Sequence, residues 1–315
     1  MYNFFVKCIF QILSMGPLPN HIAFIMDGNR RFAKKKNLDE RDGYRAGFLA
    51  LMFMLKQCYE LGIRYITIYS FAIDNFRRHP EEVKSLMELM QEKVEGFLEY
   101  ENMISKYGIR VIFVGNLTLL SESLKAAAER AMEATSMNTT TFLLICVAYS
   151  STDEIVHAVE NTFMLNHPEK DRFLCEITED GERKHEIVSS VVKTSRFYHS
   201  EKDQSSSEIT RDEISSERSE EDERKQENES ENKRGVIKLR DLEDNLYMSI
   251  APEPDIVIRT SGATRLSNFL LWQTPSCLLH CPAVLWPELR LRHLVWAVLK
   301  YQRYFHYLDK KRGQL

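Results

Sequence analysis

The stretch HIAFIMDGNRRFAKKK, His21–Lys36, runs a short apolar segment straight into Asp27-Gly28-Asn29-Arg30-Arg31 and then three lysines. His21–Met26 is apolar almost throughout instead of alternating. That is the pattern of a strand covered on both faces, as in a parallel sheet between helices. Such a strand ordinarily ends in a plain turn. This one ends in a carboxylate, a glycine, an amide and two guanidinium groups.

The same kind of apolar run recurs along the chain, separated by stretches of helical period. Apolar, β-rich runs at Tyr65–Tyr69, Arg110–Val114, Phe142–Ala148 and Asp255–Thr260 predict further strands. Helical stretches are expected at Tyr44–Leu61, Glu81–Tyr107, Leu119–Thr135, Asp153–Thr162, near Arg265–Trp272, and at Leu289–Phe305. Gly62 and Gly108 stand where helices stop. The reading is α/β: a single domain with a mainly parallel sheet flanked by helices, spanning 18–164 and 235–306. Between the two parts, 165–234 reads as a disordered charged insertion. From Glu201 to Arg234 there are 13 acidic and seven basic residues, and only Ile209 and Ile214 are apolar. That segment holds −6 of a net charge of −4, so the rest is close to neutral at +2.

Residues 1–17 form an apolar segment with a single charge, Lys7, too short to span a bilayer and suited to an amphipathic or interfacial helix. Residues 307–315 read as a tail. Cys58 and Cys146 lie in apolar runs and read as buried thiols, and Cys277, His280 and Cys281 lack the second ligand pair a metal site needs. A near-neutral folded part with no basic stripe disfavours nucleic acid as a partner.

Ligands of open parallel sheets sit beyond the carboxyl ends of the strands, and the polar residues collect there. Asp27 to Arg31 come after the first strand, FAIDNFRR (Phe71–Arg78) after the second, and RTSGATRLSN (Arg259–Asn268) after the last. Five arginines, Arg30, Arg31, Arg78, Arg259 and Arg265, are thereby aimed at one edge, with Asn75 and Ser267. Guanidinium forks match phosphate oxygens two at a time. A lone Asp beside them suits Mg²⁺, which takes one or two carboxylates and fills its shell with water and substrate phosphates. With no GxxxxGK[ST] and no GxGxxG, the expected ligand is a small phosphorylated molecule. Phe48, Leu49, Leu51, Met52, Phe53, Met54 and Leu55 make one neighbouring helix apolar over more than a core-facing stripe, which a tunnel for a hydrocarbon tail would use.

Three blocks carry a resemblance. HIAFIMDGNRRFAKK, YITIYSFAIDNFRR with Glu82 beyond it, and DIVIRTSGATRLSNFLLWQ followed by LWPE resemble the signature blocks of the cis-prenyltransferases, the undecaprenyl and dehydrodolichyl diphosphate synthases. The likeness covers about 18–162 and 235–306 and is nearest the eukaryotic, plant-like dehydrodolichyl branch. It implies that Asp27 holds Mg²⁺ on the diphosphate of an allylic primer, farnesyl diphosphate, surrounded by Gly28, Asn29, Arg30 and Arg31 with help from Arg78. It implies that Arg259, Arg265 and Ser267 grip isopentenyl diphosphate, that Asn75 lies between the substrates, and that a cis double bond forms. Tyr44, Ala72, Ala263 and Leu278 depart from the bacterial pattern of His, Ser, Glu and Glu. The alternative reading is a non-catalytic subunit that stabilises a sister enzyme, for which loss of Asp27 and the arginines would be expected.

The resemblance also implies a partner. Bacterial relatives end in R-x-G, whereas YLDKKRGQL places Arg312 beside Gly313. With Leu278, this resembles eukaryotic synthases completed by a membrane-anchored, Nogo-B-receptor-like subunit. The expectation is a heteromer in peripheral membrane contact at the cytosolic face of the endoplasmic reticulum.

Overall fold

The structure is a computed structural model that describes residues 2–99, 107–166 and 237–314. The expected insertion at 165–234 therefore falls almost wholly outside the described residues, as does the end of the Glu81–Tyr107 helix.

Residues 2–154 and 251–314 form the unit that carries the sheet. Its strands are β1 (His21–Ile25), β2 (Tyr65–Ala72), β3 (Ile109–Val114), β4 (Thr141–Tyr149), β5 (Ile256–Arg259) and β6 (Leu278–His280). They lie in the order β3-β4-β2-β1-β5-β6, and every pairing is parallel. The unbroken apolar runs have the predicted cause. All five residues of β1 and all nine of β4 are buried, so neither face of these strands meets water. The three-residue β6 was not expected, being too short to show a period.

The helices of this unit are α1 (Tyr2–Leu13), α2 (Asn29–Lys36), α3 (Glu40–Leu61), α4 (Pro80–Glu99), α5 (Glu122–Ala134), the start of α6 (Ser151–Asn166), and α8 (Leu291–Arg312). Gly62, at φ 86°, ends α3 in the left-handed conformation that glycine adopts without strain. Ser121 caps α5, its Oγ accepting the Leu124 N–H at 3.4 Å. On α1, Val6, Phe10 and Leu13 are buried while Phe4, Phe5 and Ile12 are exposed, the amphipathic division expected of the first residues.

One helix was not expected, and one expectation is corrected. Asn29–Lys36 is helix, starting directly after Gly28, whose φ of 112° is positive. Arg265–Trp272 is not helix. Ser267, Asn268 and Leu270 have φ of 53°, 59° and 48°, which no right-handed helix accommodates, while Phe269 and Leu270 are fully buried.

Residues 155–250 form a second unit, described at 155–166 and 237–250. There the remainder of α6 meets α7 (Leu239–Asp244) and a 3₁₀ turn, Tyr247–Ile250. Thr162 Oγ1 donates to the Asp241 carbonyl at 3.0 Å, and the Asn245 amide donates to the same carbonyl at 2.7 Å.

In the sheet, β1 has β2 on one side and β5 on the other, with Ile25 level with both Tyr69 and Arg259. The strand order switches direction here, and such a point opens a crevice at the carboxyl ends of the strands.

Candidate active site

Asp27 stands two residues past the end of β1, where its backbone is fixed on both sides. The Trp286 N–H donates to its carbonyl at 3.0 Å. Thr260 Oγ1 donates to the same carbonyl at 2.7 Å and accepts the Asp27 N–H at 3.0 Å. Its carboxylate lies between two arginines: Oδ1 is 2.9 Å from Arg31 Nη2 and Oδ2 is 2.9 Å from Arg259 Nη2. Burial alone would raise the Asp27 pKa, but the hydrogen bonds from Arg259 and Arg31 outweigh it and hold the carboxyl below its ordinary value.

Arg259, at the last position of β5, is the buried member, its side chain 6% exposed. Its Nη1 donates to the Arg265 carbonyl and to Ser267 Oγ, both at 2.6 Å, and its buried Nε has no partner among the described residues. Ser267 is thus brought to Arg259, whereas Arg265 contributes its carbonyl and leaves its side chain exposed.

A second cluster forms where β2 gives way to α4. Arg78 donates to Glu82 Oε1 and to Asn75 Oδ1, each at 2.9 Å, and Arg30 reaches the same Glu82 oxygen at 3.3 Å. The Tyr44 phenol lies here too. Burial raises its pKa, and the charges of Arg78 and Arg30 pull against that rise. The structure therefore gathers Asp27, Arg31, Arg259 and Ser267 in one cluster, and Arg30, Arg78 and Asn75 in the other.

Asn29 begins α2, whose first N–H groups and positive dipole end lie beside the Asp27 turn, a natural seat for an anion. Asn29 Oδ1 is buried without a partner among the described residues. Gly28 is required on two counts: its φ of 112°, and the Leu285 Cδ2 that an added Cβ would meet at 2.8 Å.

Among the described residues, no three His, Cys, Asp or Glu side chains converge on one point. Asp27 alone is compatible with a cation that takes a single protein carboxylate and most of its ligands from substrate phosphate and water.

The family profile described as putative undecaprenyl diphosphate synthase matches residues 25–307. The chain belongs to the cis-prenyltransferase family. The family's enzymes transfer prenyl groups, and the metal dependence general to them fits the Asp27 arrangement. This cis-prenyltransferase is 49% identical to dehydrodolichyl diphosphate synthase CPT3 of Solanum lycopersicum over 312 residues, 99% of this chain and 94% of the relative. It is 33% identical to the human dehydrodolichyl diphosphate synthase complex subunit DHDDS over 308 residues, 96% of this chain and 72% of the relative. The crystal structure of lavandulyl diphosphate synthase from Lavandula x intermedia, in complex with dimethylallyl diphosphate, superposes with a TM-score of 0.63 at 23% identity. That superposition covers 90% of this chain and 95% of the other, and it supports the fold.

Three contributors to the candidate site of this cis-prenyltransferase have roles that the sequence does not assign. Thr260 stands directly after Arg259, and its hydroxyl locks the Asp27 turn from both sides. Trp286, inside LWPE, holds the same turn through its N–H and holds α3 through its indole. Glu82 joins Arg30 to Arg78, a pairing visible only once α4 is seen to start beside α2.

Proposed function

We propose that this prenyltransferase extends farnesyl diphosphate with isopentenyl diphosphate units to a long-chain, dehydrodolichyl-type polyprenyl diphosphate. The observation that carries the reading is Asp27 suspended between Arg31 and Arg259 at the switch point of the sheet. Its kinship with a dehydrodolichyl diphosphate synthase along nearly the whole chain supports the same reading. Asp27 would hold Mg²⁺, which when bound supplies positive charge to the departing diphosphate. Gly28, Asn29 and the first turn of α2 present N–H groups to the diphosphate of the allylic primer, and Arg30, Arg31 and Arg78 neutralise it.

Arg259, Arg265 and Ser267 seat isopentenyl diphosphate, with Asn75 between the two substrates. The allylic carbon–oxygen bond breaks as diphosphate leaves with its electron pair. The double bond of isopentenyl diphosphate then forms the new carbon–carbon bond, and a proton is lost to leave a cis double bond. Phe48, Met52 and Phe53 on α3 are only partly buried, and Leu49 is exposed, which supports a tunnel for the growing tail beside α3. A non-catalytic subunit is the weaker reading, since Asp27 and all five arginines are present.

The reading extends to a membrane and a partner. The exposed Phe4, Phe5 and Ile12 on α1 and nearby Met15 suit peripheral contact with a bilayer, and we place that contact at the cytosolic face of the endoplasmic reticulum. The human relative's name as a complex subunit supports a heteromer, and the resemblance carried by Leu278 and by Arg312 beside Gly313 is our ground for taking a Nogo-B-receptor-like chain as the second subunit.

The test incubates purified protein with farnesyl and isopentenyl diphosphates and Mg²⁺, alone and with the partner co-expressed, and sizes the products. Long-chain polyprenyl product is expected, and more of it in the membrane fraction with the partner. Absence of elongation in both arms overturns the enzyme reading. Full activity alone, unchanged by the partner, overturns the heteromer.

A further inference from the structure

Ser267, which receives Arg259, does not hold its place by itself. It lies in the left-handed region at φ 53°, which an L side chain such as serine adopts only at a cost in backbone energy. The next residue, Asn268, is left-handed too, at φ 59°, and asparagine tolerates that region better than most side chains. Asn268 is tied to the first turn of α6. Its carbonyl accepts the Ser151 N–H at 2.8 Å, and its Oδ1 accepts the Thr152 N–H at 3.2 Å. Its Nδ2 donates to Thr152 Oγ1 at 3.0 Å.

Two further ties lie along the loop. The Leu271 N–H donates to Ser151 Oγ at 2.8 Å, and the Gln273 amide donates to Glu154 at 3.1 Å. The start of α6 is thus capped by a residue 116 positions along the chain. The first N–H groups of a helix lack partners within it. Here the first two, on Ser151 and Thr152, are met by the loop that carries Ser267, while Ser150 Oγ accepts the third, from Asp153, at 3.2 Å.

The geometry points to Asn268 as a positioning residue for prenyl transfer: by capping α6 from a distance, it sets the backbone that delivers Ser267 Oγ and the Arg265 carbonyl to Arg259. Asn268 acts through its neighbour and does not itself touch substrate. The consequence is selective because Arg259 uses Nη1 for this loop and Nη2 for Asp27. Loosening the loop therefore disturbs the seat assigned to isopentenyl diphosphate more than the seat assigned to the allylic primer. The inference rests on the proposed function for its choice of substrates.

The experiment compares Asn268→Ala, Asn268→Asp and Thr152→Val with the wild type, with steady-state kinetics in each diphosphate and thermal melting. A capping side chain lost to alanine typically corresponds to about fivefold in an equilibrium constant, so KM for isopentenyl diphosphate is expected to rise about fivefold in Asn268→Ala. KM for farnesyl diphosphate and kcat are expected to move by less than about threefold on the same scale. Asn268→Asp keeps an acceptor at the helix start and is expected to restore most of the loss, while Thr152→Val shows a smaller rise of the same selectivity. Should Asn268→Ala fail to fold, Thr152→Val decides by that selectivity. An unchanged KM for isopentenyl diphosphate, or an equal rise for both substrates, overturns the role of Asn268.

Calorimetric titration of isopentenyl diphosphate separates the two claims. A wild type that binds it but makes no product overturns the function reading, while the ratio of wild-type to Asn268→Ala affinity still decides the role of Asn268. A wild type that does not bind it overturns both.

Discussion

The indole Nε1–H of Trp286 donates to the carbonyl of Gly47 at 2.7 Å, while the backbone N–H of Trp286 donates to the carbonyl of Asp27 at 3.0 Å. One residue therefore fixes the distance between α3 and the turn that bears the carboxylate. The contact is close because Gly47 has no side chain. Asn29 Oδ1 and Trp286 Cδ1, the latter 3.1 Å away, occupy the place where a Cβ would be.

Gly47→Ala is accordingly expected to lower stability by about 1–3 kcal/mol through overpacking. Displacement of Asn29 should cost activity beyond the loss of folded protein. Urea unfolding gives the first quantity, and kcat/KM below the melting temperature gives the second. A variant with normal melting and normal turnover would remove Gly47 from the account.

Asp27→Ala is expected to abolish chain elongation, by about a thousandfold or more, since both the charge partner of Arg259 and the proposed cation ligand disappear. The fold should survive, because the Asp27 contacts to Thr260 and Trp286 are made by its backbone. Near-normal turnover in Mg²⁺ would contradict the role of this carboxylate.

Arg312 sits far from the chemistry. Its Nη1 is 2.7 Å from Asp255 Oδ1, and Asp255 also accepts the backbone N–H groups of Asn20 and His21 and the Tyr301 hydroxyl. Asp255 precedes β5 and Arg259 ends it, so the two ends lie about 13 Å apart along the strand. Arg312→Ala leaves a buried carboxylate short of its cation, and a loss of about 2–3 kcal/mol in urea unfolding is expected. The KM values measured at low temperature should stay as they are in the wild type.

A pH dependence arises from His21. It is fully buried, with ring nitrogens 2.6 Å from the Pro252 carbonyl and 2.7 Å from Thr67 Oγ1, and burial lowers its pKa from 6.5 to about 4. A histidine depressed in the folded state takes up its proton first in the unfolded state. Stability is therefore complete above pH 6.5 and is lost as the pH falls towards 4, by up to on the order of 3 kcal/mol. His280, also lowered to about 4 by burial, adds to the loss with the same sign. Urea midpoints between pH 4 and 7 test this, and His21→Gln should flatten the curve.

The strands could be read in the sequence because burial on both faces leaves an unmistakable mark, an apolar run with a polar residue at its end. The same mark located Asp27, Arg259 and Ser267. Features that depend on distant partners could not be read. The run Leu266, Phe269, Leu270 has helical spacing, yet the ties of Asn268 to Ser151 and Thr152 bend it into left-handed backbone. Helix α2 is invisible in the sequence because only Ala33 of its eight residues is buried, so no apolar period betrays it. The start of α4 was legible to within one residue, but the bridging of Arg30 and Arg78 by Glu82 depends on α4 beginning beside α2, a juxtaposition in space that no local pattern encodes.

The strand order has a consequence for synthesis of the chain. Strand β1 is made early, but its partner on one side, β5, comes after the end of β4 only when about 100 further residues have been added. From the end of β1 the chain grows by about 230 residues before β5 begins, so at about 5–20 residues per second the β5-facing edge of β1 stands open for roughly 10–50 seconds on each ribosome. During that time Asp27 has no Arg259, and a row of backbone hydrogen-bonding groups is presented to any passing strand. The nascent protein is inert and adhesive together, and both conditions end when β5 docks.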